Sequence, residues 1–260
     1  MTHARFRQDR FLLDAGGATP GEVLAPSGRY WSAFDDFYGM ADVEAAHGFI
    51  LNAGSDDLAV DPVIDTAQAG GVWVLVGGDG DGTTAEDASQ LVWADMPIQI
   101  DSILSGGVVT LEARIRIKAA ITGVAVNFGL TDATGLEEPF SIAAATVTST
   151  ATDAVCFCYD DGATAKTWHG LAVDTDVDDT GNASTGVGPV ADTFQILKIE
   201  VSATGAECWF YIDGERVLSL TGSVGCGPDV VLYPTLICCS DGAAAKSVDI
   251  DWIRVYGPRA

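Results

Sequence analysis

The chain has 260 residues, 48% of them hydrophobic, with 37 acidic against 13 basic side chains and a formal net charge of −24. That is enough apolar chain for one large core. A surface so negative repels nucleic acid and anionic lipid, which excludes both as partners of the body of the protein, and no apolar run approaches the length of a membrane span.

The opening stretch MTHARFRQDRFLLDAGG carries Arg5, Arg7 and Arg10, but its apolar run is only Phe11, Leu12 and Leu13. This is too short for the core of an export signal and predicts assembly in a cytoplasm. The six cysteines, Cys156, Cys158, Cys208, Cys226, Cys238 and Cys239, stand in apolar strand-like contexts and are expected as buried thiols. Residues 1–30 keep no period and contain the turn-rich GGATPGE, so they are read as an extended arm before a single domain spanning 31–260. With Phe6 and the run at 11–13 as apolar anchors and the three arginines as charges, the arm is expected to order only by docking on an acidic partner surface or on another copy of the chain.

From RYWSAFDDFYG onward the chain turns globular. GGVWVLVGG is a short buried strand between glycines, and SQLVWADMPIQI a strand pair broken at Pro97. In VVTLEARIRIKA, Leu111, Ala113, Ile115 and Ile117 alternate with Glu112, Arg114, Arg116 and Lys118, the pattern of a half-buried antiparallel strand. GVAVNFGLTD and TWHGLAVD read as strands. DAVCFCYDD is another, with Cys156 and Cys158 on one face and Phe157 on the other. The segment 141–154 is compatible with a strand. FQILKIEVSATGAECWFYIDGERVLSL is a run of three strands with a tight hairpin at Asp213-Gly214. VLYPTLICCS follows. The last strand, KSVDIDWIRVYG, is apolar on both faces if Val248, Ile250 and Trp252 point one way and Ile253 and Val255 the other, which predicts a central position with Trp252 in the core.

Strands every ten or so residues, with no helical stretch between them, predict an all-β, antiparallel two-sheet sandwich. The order of VVTLEARIRI, then LKIEVSATGAECWFYIDGERV, then a Pro-containing strand, then VDIDWIRVYG resembles the concanavalin A-like lectin/glucanase jelly-roll superfamily over residues 30 to 257. Its laminarinase-like members end on a strand similar to DWIRVY. NFGLTDATG, DAVCFCYDDGATAKTWHGLAVDTD and FYIDGE resemble structural proteins of tailed bacteriophages. That second likeness implies a virion protein on the outer capsid surface, assembled in the host cytoplasm as a trimer or dimer. It would act as a decoration (cement) protein or head fibre in contact with the major capsid protein or other virion proteins.

The glucanases of the superfamily carry a motif resembling E-x-D-x-x-E, with alternate carboxylates on one strand projecting into one cleft. The motif is absent here: Glu137-Glu138 precede a proline, Glu86-Asp87 lie in a loop, and Asp249-Ile250-Asp251 has no third carboxylate in phase. The expectation is a non-catalytic chain. His169 reads as a structural strand histidine. A zinc site from Cys156, Cys158, Cys238 and Cys239 has an unsuitable spacing. Calcium is the one cofactor with any pattern behind it: Asp174, Asp176 and Asp178 alternate in DTDVDDTGN, although Asp179 and Thr185 stand where a helix-loop-helix calcium loop needs Gly and Glu. Asp79 and Asp81 offer a second acidic loop. The rival function is lectin-like adhesion to a surface glycan from a fibre or tail, with Trp31, Trp73, Trp93, Trp168, Trp209 and Trp252 as the aromatics from which a sugar platform would come.

Overall fold

A computed structural model describes residues 30–37, 48–55, 60–65, 71–78, 87–100, 107–175, 177–178, 183–221, 230–242 and 244–258. Among them the chain forms strands and no helix. The first six strands are β1 (Tyr30–Asp35), β2 (Phe49–Ala53), β3 (Val60–Asp65), β4 (Val72–Val76), β5 (Ala88–Trp93) and β6 (Ile98–Gln99). The middle of the chain gives β7 (Val108–Ile117), β8 (Val124–Thr131), β9 (Phe140–Ala143), β10 (Thr146–Ser149), β11 (Ala154–Asp160), β12 (His169–Asp174) and β13 (Val177–Asp178). The last five are β14 (Gln195–Ser202), β15 (Glu207–Ile212), β16 (Glu215–Thr221), β17 (Val231–Ser240) and β18 (Ser247–Pro258).

Sixteen of these strands make two eight-stranded sheets, and β9 and β10 pair as a separate two-stranded ladder. The first runs β16-β15-β14-β7-β18-β4-β3, with β1 added on β18; the second runs β13-β12-β11-β8-β17-β5-β2, with β6 added on β17. Every pairing between named strands is antiparallel. The chain's last strand is therefore central, as its sequence predicts: β7 lies along one side, and β4 and then β1 share the other.

Period-two alternation explains the core. On β7, Leu111, Ala113, Ile115 and Ile117 turn inward, and on β14 Leu197, Ile199 and Val201 do the same. They meet Val126, Phe128, Leu130, Phe157 and Leu236 from the second sheet in one continuous cluster. Trp73 and Trp168 are fully buried in it, and Trp93 nearly so. The β15–β16 hairpin turns at Asp213 and Gly214 with φ of 52° and 87°, the doubly positive geometry of a tight primed turn.

One placement differs from the sequence pattern. Ile250 pairs with Ile115, but Trp252 pairs with Arg114, so Asp251 is an extra residue in β18. Such a bulge shifts the alternation by one. Val248, Ile250, Ile253 and Val255 consequently all face the core, at 2% exposure or less. Trp252 moves outward with Arg254 and Tyr256, half-buried on the face opposite the core. The strand is amphipathic rather than apolar on both sides.

Candidate functional site

Each sheet has a face turned away from the shared core, and the two differ. On the second sheet a single register row crosses six strands: Asn52, Gln90, Ile237, Asn127, Cys158 and His169 stand opposite one another in turn. Gln90, Asn127 and His169 are fully buried. The cover is the segment between β8 and β11. Phe140 and Ile142 of β9 pack on Cys156, Cys158 and Leu171, while Leu136 packs on Ala88, Ala125, Ile237 and Cys239. The Asn52 amide donates to Thr134 O at 3.1 Å and to Gln90 Oε1 at 3.1 Å, and Gln90 donates to Thr235 Oγ1 at 3.1 Å. Asn127 donates to Phe140 O at 2.9 Å. His169 has Nε2 at 3.1 Å from Ala165 O, whereas His169 Nδ1 and Asn127 Oδ1 have no hydrogen-bond partner. The carboxylate that β8, β11 and β17 contribute to this face is Asp160 alone; a paired arrangement for general acid and base is not formed there.

Asp160 belongs to a cleft of about 350 Å³ at one end of this sheet, lined by Gly123, Ser141, Ile142, Ala143, Asp161, Gly162 and Asp241. Its carboxylate is occupied by the Ile142 and Gly162 amides, each at 2.6 Å. Asp161 accepts from Gly123 N at 2.8 Å and pairs with Lys166 at 3.1 Å. Asp241 stands at the exposed rim. Desolvation by the surrounding protein, then the charges of Asp160, Asp161 and Asp87, push its carboxyl up to about 6.

The other predicted site residues are dispersed. Arg5, Phe6, Arg7, Arg10, Phe11, Leu12 and Leu13 lie outside the described residues, as do Asp79, Asp81 and Asp176. Asp174 ends β12, where Thr175 Oγ1 donates to it at 2.9 Å. Asp174 pairs with Val177, and Asp178 with Val173, in the β12–β13 ladder. Among the described residues no group of three or more His, Cys, Asp and Glu side chains could hold a metal ion. Cys156, Cys158 and Cys239 face the cover and Cys238 the main core, so the two adjacent cysteines point to opposite sides. All five described cysteines are buried thiols. Burial pushes the Cys238 thiol up to about 12, with Asp241 adding to the shift and Lys246 and the Gly77 amide opposing it.

The outer face of the first sheet was not legible as a unit in the sequence. Arg114, Arg116, Lys118, Lys198, Arg216 and Arg254 stand on it, six of the eight described basic residues. They are interleaved with carboxylates. Arg254 pairs with Glu112 and Arg114 with Asp251. Arg116 reaches Asp249 at 2.6 Å, Lys198 reaches Glu200 at 2.7 Å, and Lys118 lies between Asp65 and Asp249 at 3.8 and 3.7 Å. Six aromatic rings share the face, all half-buried: Phe34, Phe194, Trp209, Tyr211, Trp252 and Tyr256. Elsewhere, among the residues whose side-chain burial is described, Tyr233 is the one aromatic that keeps comparable exposure. The Phe194 ring is capped by the Arg114 and Arg116 guanidinium groups at 4.1 and 4.5 Å, and Tyr211 by the Lys198 ammonium at 3.8 Å. Tyr211 also donates to Glu200 at 2.7 Å. Trp252 lies 6.2 Å from Phe34, with Arg254 5.9 Å from its ring and 5.1 Å from that of Tyr256. Alternation on β7 and β14 foretold the charged side of those strands; the bulge that adds Trp252, Arg254 and Tyr256 has no local sequence mark.

No protein-family model matches the chain, and no curated protein matches its sequence. Solved structures do match. The carbohydrate recognition domain of Emp47p superposes with a TM-score of 0.58 at 11% identity, covering 91% of this chain and 100% of that one. A structure from work on endo-acting O-glycanases of the human gut microbiota that initiate mucin breakdown gives 0.57 at 12%, covering 86% and 97%. A Bacillus licheniformis β-glucanase gives 0.53 at 9%, also covering 86% and 97%. At such identities the likeness is one of fold: this chain is an antiparallel two-sheet jelly roll of the concanavalin A-like lectin/glucanase type, an architecture shared by binding and hydrolytic proteins.

Proposed function

We propose that the chain is a non-enzymatic binding module of the lectin type, which holds a glycan on its surface without turning it over. The observation that carries this reading is the contrast between the two outer faces. The second sheet's face is closed by the β9–β10 segment, and of the three carboxylates in the cleft at its end Asp160 and Asp161 are already held by backbone amides and Lys166, whereas the first sheet's face presents aromatic rings beside fixed polar groups. Neighbours that include a carbohydrate recognition domain support the same reading at the level of fold. The test is a glycan array on the purified chain, followed by a reducing-sugar assay on every glycan retained. Retention without release of reducing ends is the expected result; turnover, or an array on which nothing is retained, overturns the reading.

A second reading has a different support. The strings that resemble tailed-bacteriophage structural proteins fold into β8, β11, β12 and the β15–β16 hairpin, which are sandwich elements rather than loops. On this reading the module decorates the outer capsid surface of a virion as a dimer or trimer, anchored by its basic N-terminal arm to capsid protein. A formal charge of −24 keeps such a crowded array soluble. The number of copies in purified particles decides it: hundreds on the head fit decoration, a few at the tail fit an adhesin, and none removes the virion from the account.

A further inference from the structure

We propose that the glycan site is the outer face of the first sheet, and that its ligand is an extended, uncharged polysaccharide lying across the strands. The inference rests on the lectin-type reading and adds to it a place and a ligand class. Trp252 is the starting point. Its strand needs a bulge to turn this large ring out of the core, and the bulge delivers Arg254 and Tyr256 to the same side. The rings on this face are not equivalent. Phe194 and Tyr211 are capped by cations at 4.5 Å or less, whereas Arg254 stands farther from Trp252 and Tyr256, at 5.9 and 5.1 Å, which leaves these two and Trp209 as the less covered rings.

Their spacing follows from the sheet. Tyr256 is four residues beyond Trp252 on β18, about 13 Å at the usual rise per residue. Trp209 is three strands from Tyr256 along one register row, through Glu200 and Thr110, or about 14 Å at the usual strand separation. Those distances exceed one sugar ring, so an occupant that touches all three is a chain. Between the rings lies the half-buried Tyr211–Glu200 hydrogen bond, fixed in place to meet hydroxyl groups, with the buried Arg254–Glu112 pair beside it.

Charge selects the ligand class. Five of the six basic residues of the face are paired with carboxylates, Asp251, Asp249, Asp65, Glu200 and Glu112, so the face is close to neutral on a chain of −24. A polyanion gains nothing from cations that are already paired, and the rest of the surface repels it. A second copy of the chain fits less well. Subunit interfaces are depleted in charge at their centres, and packing two such faces would desolvate a lattice of ion pairs.

Binding is read by titrating tryptophan fluorescence and by calorimetry with three neutral hexasaccharides, cellohexaose, laminarihexaose and mannohexaose, and with oligogalacturonate as the acidic probe. The proteins are the full chain, Trp252→Ala, Trp252→Phe, Trp209→Ala and Asp241→Asn. The expected result is that at least one neutral hexasaccharide binds. Trp252→Ala and Trp209→Ala then weaken it tenfold or more, Trp252→Phe recovers most of the loss, and Asp241→Asn, in the cleft of the other sheet, leaves it within twofold. If the full chain binds but both alanine variants keep their affinity at unchanged melting temperature, this face is not the site while the lectin-type reading stands. Preference for oligogalacturonate overturns the ligand class. Failure of every saccharide here and on the array removes both proposals. Sedimentation of the same variants adds one outcome: loss of an oligomer in Trp252→Ala without any sugar binding makes the face a subunit interface and overturns the inference.

Discussion

Trp252 stands directly opposite Arg114, although two residues earlier on the same strand Ile250 stands opposite Ile115. Two steps on β18 are matched by one on β7, and the residue between, Asp251, is tied to the Arg114 side chain. This local irregularity decides which side chains the last strand buries.

Trp252→Ala is therefore expected to cost about 1 kcal/mol or less, because the ring is half-exposed, whereas Trp73→Ala, which empties a fully buried site, is expected to cost about 3–5 kcal/mol. Denaturant unfolding of the two variants checks the order. Deleting Asp251 should be tolerated better than Trp73→Ala: it removes the extra residue, so Ile250 and Trp252 follow one another opposite Ile115 and Arg114, and Ile253 and Val255 keep facing the core. The expected product is soluble and unfolds cooperatively, having lost the Arg114–Asp251 pair.

Glu112 and Arg254 face each other in one row of the β7–β18 ladder. Burial pushes the Glu112 carboxyl up to about 7, with Lys198 opposing and Glu200 adding to the shift, and burial also pulls Arg254 down. Each charge is costly alone and tenable beside the other. Arg254→Met is expected to destabilise by about 3 kcal/mol, the typical cost of stranding one member of a buried pair, and Glu112→Gln with Arg254→Met together by less than either single change. A double-mutant cycle from urea melts measures the difference.

The Asp241 carboxyl, raised to about 6, sets a pH dependence. A carboxyl whose folded pKa lies above its unfolded value binds its proton more tightly in the folded state. Its stabilising contribution is complete below the ordinary aspartate range near 4 and is lost as pH rises through about 6. Asp241→Asn carries no such charge. Its stability relative to the parent should rise between pH 4 and pH 7, and equal shifts in melting temperature at both ends would remove Asp241 from the account.

Gly129 lies opposite Cys156 on the closed face of the second sheet. A Cβ there would stand 2.1 Å from Val155 O and 2.6 Å from the Cys156 Cα, both backbone atoms that cannot swing away. Gly129→Ala should lose about 3 kcal/mol or fail to fold, at the upper end of overpacking effects. Gly135, with open space around it, should accept alanine with little change.

The sequence by itself determined the strands whose side chains alternate without interruption. β7, β14 and the hairpin at Asp213-Gly214 could be read residue by residue, because period two and a turn with two positive φ values are local properties. The central place of β18 was read from two apolar faces; the place is right, but the bulge puts Val248, Ile250, Ile253 and Val255 on one face, so the premise was not. The lack of a three-carboxylate strand motif could also be read directly. Only the tertiary structure decided the rest. Whether Asp251 is accommodated as a bulge depends on the register that β7 imposes through Arg114 on Asp251 and Glu112 on Arg254, pairs 137 and 142 residues apart in the chain. The closing of the second sheet's outer face depends on Phe140, Ile142 and Leu136 folding back over five strands, β5, β8, β11, β12 and β17. A half-exposed Trp252 and a fully buried Trp73 look alike as letters, since exposure depends on the neighbours that arrive from elsewhere in the chain.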